Sequence, residues 1–261
     1  MNPESASASD LRGSRRLREF AQMIQKAQRI VFFGGAGVST ASGIPDFRSA
    51  AGIYTADSGG HSPEYLLSHT CLEEHPEDFF EFYRAKMLYP DAQPNAAHRY
   101  LAQLEKSEKL SAVVTQNIDG LHQKAGSRNV FELHGTVLHN HCAFGHHYPL
   151  SWLLNTAGVP HCPHDGTVVR PDVVLYEEAL PEAAFHGGAA AIREADLLII
   201  GGTSLNVYPA AGMIHYFQGS EIVLINRDAT EADRFAALVF RESIADVFTA
   251  VNANIDANIK Y

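Results

Sequence analysis

The chain has 261 residues, 46% hydrophobic and 19% charged, the balance of an ordinary globular protein built as one large domain or a domain carrying a smaller one, and disordered, collagen-like or coiled-coil chains are excluded. Asp and Glu outnumber Lys and Arg by 30 to 20, for a formal charge of −10, which argues against a sequence-independent grip on nucleic acid or an anionic membrane. Three cysteines are too few for a disulfide framework, and no apolar run approaches the roughly 20 residues that span a bilayer, so a cytoplasmic protein with no membrane role is expected.

Residues 1–10 are rich in Ser and Ala, and residues 1–16 are read as a disordered tail; Arg12, Arg15, Arg16 and Arg18 suit a transit peptide, but Glu4 and Asp10 oppose one. From Leu17 the spacing of Leu17, Phe20, Ile24 and Ala27 predicts a helix, and Ile30–Phe33 a buried strand. Further short apolar runs, Ala112–Val114, Val130–Phe131, Leu197–Ile200 and Ile222–Ile225, alternate with helix-like stretches such as Ala97–Glu105 and Pro209–Phe217. That alternation predicts an α/β fold, a Rossmann-like doubly wound parallel sheet, assembled from about 17–50, 95–134 and 171–261. Two stretches interrupt it: about 50–95, aromatic and helical, and about 135–170, rich in His, Pro and Gly. Both are expected to form small added modules.

Three strand ends run into small residues: Gly34–Thr40, Thr115–Gly120 and Gly201–Ser204. In an open parallel sheet, ligands bind beyond the carboxyl ends of the strands, where glycine admits a close phosphate, so a nucleotide site is expected. Taken alone, a Gly-rich turn is also a common tight turn. The first loop departs from the dehydrogenase fingerprint, which disfavours hydride transfer.

The continuation Gly35-Ala36-Gly37-Val38-Ser39-Thr40-Ala41-Ser42-Gly43-Ile44-Pro45-Asp46-Phe47-Arg48-Ser49, then Gln116-Asn117-Ile118-Asp119-Gly120-Leu121-His122, Leu133-His134-Gly135, Gly202-Thr203-Ser204-Leu205 and Ile225-Asn226, closely resembles the sirtuin family of NAD-dependent protein deacylases, most of all bacterial members. The resemblance extends from about Leu17 to Val251. It implies an NAD site between a Rossmann part and a small zinc-ribbon-like module, with an acyl-lysine peptide entering between them. NAD is consumed in that reaction: nicotinamide leaves, the acyl group ends on ADP-ribose, and free lysine is released. A monomer is expected.

By the same resemblance His134 is the general base, a task suited to a group titrating near neutrality, and Asn117 positions the ribose and a water. Asp119 and the Ile118 backbone hold the nicotinamide carboxamide, Phe47 excludes water, and Arg48 holds phosphate or ribose oxygens. Ala36, Gly37, Thr40, Asp46, Gln116, Gly202, Thr203 and Ser204 complete the NAD site, with Asn226 and Ile244 at the adenosine end; Ile244 reads equally as core. Val173, Val174 and Tyr176 lie in the segment that pairs with substrate peptide. Glu177 stands where the family usually has glycine, and its carboxylate is expected to favour basic peptides.

The family's zinc module carries two Cys-x-x-Cys pairs, of which only the first members, Cys142 and Cys162, are present here; Gly145 and Asp165 occupy the second positions. His139, His141, His146, His147, His161 and His164 offer replacements, and His146 with Asp165 completes a set by spacing. Such a mixed set binds zinc less firmly and with more acid sensitivity than four thiolates; the alternative is a module held by packing without metal. Tyr83 and Lys86, three residues apart, match a pair that reads an acidic acyl group in one subgroup, although Lys lacks the planar fork that fits a carboxylate. Deacetylation, or removal of a longer apolar acyl group, is the default. ADP-ribosyl transfer or NAD hydrolysis, and a non-catalytic NAD or ADP-ribose sensor, are the competing readings.

Overall fold

The structure is a computed structural model and describes residues 11, 13–46 and 60–258. Nine strands are present among them: β1 (Ile30–Gly34), β2 (Leu110–Thr115), β3 (Val130–Glu132), β4 (Gly135–Cys142), β5 (His147–Pro149), β6 (Val169–Val173), β7 (Leu197–Gly201), β8 (Glu221–Ile225) and β9 (Leu238–Phe240). The α-helices among these residues are α1 (Arg15–Lys26), α2 (Pro63–Leu66), α3 (His69–Glu74), α4 (Pro76–Lys86), α5 (Ala96–Lys106), α6 (Leu121–Ala125), α7 (Leu150–Leu154), α8 (Glu182–Glu194) and α9 (Ile244–Asn258).

Six strands form a parallel sheet in the order β3-β2-β1-β7-β8-β9. The chain reverses its direction of travel between β1 and β7, so a crevice opens beyond their carboxyl ends. Both strands are buried along their whole length, as their unbroken apolar sequences require when helices cover both faces. Side chains alternate across the pleat: Ile30, Phe32 and Ile199 face the layer of α1, α5 and α9, while Val31, Phe33 and Ile200 face α8 and the 3-10 turn Ala210–Tyr216. Phe20 of α1 packs on Phe240 and Phe248, with ring centroids 5.6 and 6.3 Å away, and burying such a ring contributes about 2–3 kcal/mol.

The start of the chain corrects one expectation. Within the stretch read as tail, Leu11 is buried in this core, and the Ser14 hydroxyl caps α1 by accepting the Leu17 N–H. Helix α1 therefore starts at Arg15, and Arg16 donates to the Val239 carbonyl and to Glu242. Strand β9 and helices α8 and α9 were not singled out from the sequence.

The second sheet is antiparallel, in the order β5-β4-β6. It shares a core with the helical insertion, where Phe79, Phe80 and Tyr83 of α4 pack with Val137, Val173 and Leu175. A smaller cluster joins Cys142, Tyr148, Cys162 and Val169, with the Trp152 ring tilted against Tyr148 at 4.2 Å. No helix among the described residues is long and apolar enough to cross a membrane.

Candidate active site

A cavity of about 840 Å³ opens at the switch point. Its floor is the loop after β1, where two backbones touch: the Gly37 N–H donates to the Gly202 carbonyl at 2.8 Å. Gly202 lies in the left-handed region with φ +62°, and a Cβ there would sit 2.5 Å from the Val38 nitrogen. Only glycine at both positions lets the loops after β1 and β7 close into a phosphate-sized cradle. Gln116, after β2, donates to the Thr203 hydroxyl at 3.0 Å, tying the third strand end to the other two. Thr40 is held by the Gly37 carbonyl at 3.0 Å.

Polar groups converge beside this cradle. The Asn117 amide donates to the Ser39 hydroxyl at 3.1 Å, and that hydroxyl donates to Asp119 at 2.6 Å. The Leu121 N–H donates to the other Asp119 oxygen at 2.8 Å. Burial raises the Asp119 carboxyl from its usual range, and these two bonds oppose the shift. Ser39, quoted within the loop motif but assigned no role from sequence, is thus the hinge between two predicted site residues. Asn95 anchors the same loop from behind through the Val38 carbonyl and the Ser42 hydroxyl.

His134 ends the β3–β4 connection, with Nδ1 2.9 Å from the Gln116 carbonyl. A carbonyl only accepts, so Nδ1 carries the proton and Nε2 of the neutral ring is the basic nitrogen. Burial lowers the imidazole pKa, partly offset by that carbonyl. Gly135 follows at φ +73°, and a Cβ there would collide with the Asp172 carbonyl; the tight crossing of β4 and β6 holds the histidine in place.

The cavity is also lined by Ala36, Gly37, Thr40, Asp46, Ile118, Gly202, Thr203, Ser204, Asn226 and Ile244, and by Tyr83, Lys86, Val173, Val174 and Tyr176. Ile244 is 5% exposed in the core and also borders the cavity. Phe47 and Arg48 lie outside the described residues. Tyr89, Val207 and Tyr208 line the cavity without having been picked out from sequence, since nothing in their local pattern marks them. Glu177 is exposed at the cavity rim, where its carboxylate accepts from the Thr70 N–H at 3.0 Å and the Thr70 hydroxyl at 2.7 Å, bonds that favour its charged form.

In the small module, the side chains of Cys142, His146, Cys162 and Asp165 bring one ligand atom each within 4.8 Å of one another. His146 Nδ1 lies 2.9 Å from Asp165 Oδ2, 3.2 Å from Cys142 Sγ and 3.5 Å from Cys162 Sγ, and each sulfur is 3.1 Å from Asp165 Oδ2. Four acceptor atoms meeting at one point suit a tetrahedral cation, whose ligand bonds measure about 2.0–2.3 Å. Surrounding groups orient the set: Tyr148 Oη lies 3.1 Å from Cys162 Sγ, and the Thr167 N–H and hydroxyl both donate to Asp165 Oδ1, at 2.9 and 2.5 Å. His141 pairs with Asp172, His161 bonds the Gly166 carbonyl, and the His164 ring packs on His146.

A Rossmann-type crevice with a glycine cradle, a buried polar cluster and an oriented neutral histidine defines a dinucleotide-dependent enzyme of the doubly wound class. The family model described as "Sir2 family" matches residues 35–209. An NAD-dependent protein deacetylase of Clostridium perfringens is 54% identical over 239 residues, covering 90% of this chain and 98% of that protein. A protein of the same name from Cutibacterium acnes is 53% identical over 235 residues, covering 89% and 96%. A solved Sir2 structure with a deacetylated p53 peptide and 3′-O-acetyl-ADP-ribose superposes with a TM-score of 0.84 at 34% identity, covering 91% of this chain and 98% of that one. The chain belongs to the Sir2 family.

Proposed function

We infer that this protein is an NAD-dependent protein-lysine deacylase, with acetyl-lysine as its first substrate class. The observation that carries the reading is the placement of His134: its Nδ1 is bound to the Gln116 carbonyl and its ring borders the same cavity as the Gly37–Gly202 cradle. The names and contents of the relatives described above support it. The glycine cradle, Thr203 and Ser204 would hold the phosphates, and Asn226 and Ile244 the adenosine end. NAD, when bound, supplies a ribose carbon that becomes electrophilic as nicotinamide leaves. His134 Nε2 takes a proton from a ribose hydroxyl, Asn117 orients ribose and water, and Asp119 receives the carboxamide.

The Tyr83 hydroxyl is buried with no partner among the described residues, and both Tyr83 and Lys86 of α4 line the cavity. An acyl group ending in a carboxylate would engage both, which makes succinyl-lysine the second acyl class to test. The Cys142, His146, Cys162 and Asp165 set fits zinc by donor chemistry, and would tie β4 to the loop before β6. The experiment is nicotinamide release with acetyl-, propionyl- and succinyl-lysine peptides, beside His134→Ala, and metal analysis of tag-free protein. Peptide-dependent release that vanishes in the variant is expected. Release without peptide supports NAD hydrolysis or transfer instead, and NAD binding without release a sensor. Absence of stoichiometric zinc would refute the metal assignment.

A further inference from the structure

Three non-glycine residues among those described occupy the left-handed backbone region, Glu108, Glu177 and Leu205, and Glu177, at φ +77°, is the one that lines the cavity. A side chain there is disfavoured, so its surroundings must hold it. They do so through a dense set of bonds between segment 174–178, which follows β6, and the start of α3. Ser68 and Tyr176 form a parallel bridge: the His69 N–H donates to the Tyr176 carbonyl at 3.1 Å, and the Tyr176 N–H to the Leu67 carbonyl at 3.0 Å. Glu177 caps Thr70 twice, as described above. Glu178 accepts two bonds from Arg170, at 2.7 and 2.9 Å, and one from the Leu175 N–H, with His69 Nδ1 3.0 Å away. On its other side the segment reaches the catalytic histidine, because the Val174 N–H donates to the His134 carbonyl at 2.9 Å.

We propose that Glu177 is a positioning residue for peptide recognition: its carboxylate, fixed by Thr70, locks the 174–178 segment in the shape that an extended peptide backbone docks on. The inference rests on the deacylase reading, since Val173, Val174 and Tyr176 are taken as the peptide's side of the cavity. Recognition by strand addition draws its affinity from backbone bonds, and a rim ordered beforehand spares the peptide the cost of ordering it. The helical insertion thereby sets substrate affinity through Thr70, without touching the NAD cradle.

The test compares Glu177→Ala, Glu177→Gln, Thr70→Val and the double variant Glu177→Ala/Thr70→Val. Loss of the cap is expected to raise the peptide KM about tenfold, with kcat and the NAD KM unchanged within about a factor of two. Glu177→Gln keeps an acceptor for Thr70 and should restore most of the affinity, and the double variant should be little worse than either single one. Amide hydrogen exchange at Val174 and Tyr176 is followed in parallel and needs no turnover; it should accelerate in Glu177→Ala and Thr70→Val and stay slow in Glu177→Gln. An unchanged peptide KM overturns the proposal, whether or not exchange accelerates, because faster exchange alone would mean a merely structural bond. Wild-type protein that turns over no acyl peptide overturns the deacylase reading instead, and the exchange data then decide whether Glu177 holds the segment.

Discussion

Replacing His122 with Phe should flatten the acid dependence of stability by about 2 kcal/mol between about pH 7.5 and pH 5. His122 and His98 are 1% and 0% exposed and lie against each other behind the dinucleotide crevice, ring centroids 4.7 Å apart. Burial brings the His98 pKa down to about 4 and that of His122 to about 3, the latter pushed further by its neighbour. Both rings are therefore neutral in the folded protein, while in the unfolded chain they titrate near 6.5. A folded value below the unfolded one means stability that is complete above about pH 6.5 and is lost as the pH falls toward the folded values. At about pH 5 the unfolded chain binds a proton that the folded one refuses, which costs about 2 kcal/mol for each ring. Two such losses are a large part of a typical 5–15 kcal/mol of stability. The His98 Nδ1 accepts the Asn95 N–H, but neither nitrogen of His122 has a partner among the described residues, so Phe forfeits no protein hydrogen bond. Urea unfolding followed by circular dichroism at the two pH values gives the comparison. Asp119 and Glu132, whose carboxyl pKa values are raised chiefly by burial, titrate in both proteins and cancel. An identical acid loss in wild type and variant would refute the reasoning.

Ser39→Ala removes the junction between Asn117 and Asp119; a loss of about 1–3 kcal/mol in denaturant unfolding is expected, with kcat/KM for NAD down about tenfold or more. Gly202→Ala places a methyl group against the Val38 nitrogen and strains a left-handed residue, so calorimetric ADP-ribose affinity should drop at least about tenfold while the peptide KM changes less. Tyr148→Phe removes the hydroxyl beside Cys162 Sγ and should weaken metal binding about 10–100-fold in competition with a chelator. Because burial holds the His134 pKa below its ordinary value, the acid limb of kcat/KM for NAD should lie below about pH 6.5; a limb at or above that value would contradict a buried neutral base.

The sheet and the dinucleotide crevice were legible in the sequence because their causes are local. Continuous runs such as Ile30–Phe33 and Leu197–Ile200 can be buried on both faces only in a parallel sheet under helices, and glycines directly after such strands mark where a backbone must come close. The order of the motifs around Asn117, Asp119 and His134 carried the chemistry, and every one of those residues borders one cavity. Other features depend on contacts between segments distant in the chain, which no local pattern encodes. Spacing singled out His146 and Asp165 among six histidines near the two cysteines, but only folding β4 against the loop before β6 brings the four side chains together, leaving His141 to Asp172 and His161 to a carbonyl. Ser39 is an ordinary loop serine until residues 117 and 119 meet it across the switch point. Leu11 read as tail because its partners, in the core beneath α9, are supplied by the fold. Glu177 looked like a free carboxylate, and only the docking of the helical insertion beside β6 brings Thr70 to bind it. Local propensity and burial thus set the elements and the chemistry of each loop, whereas the pairing of remote side chains, which depends on how those elements pack, was decided by the tertiary structure.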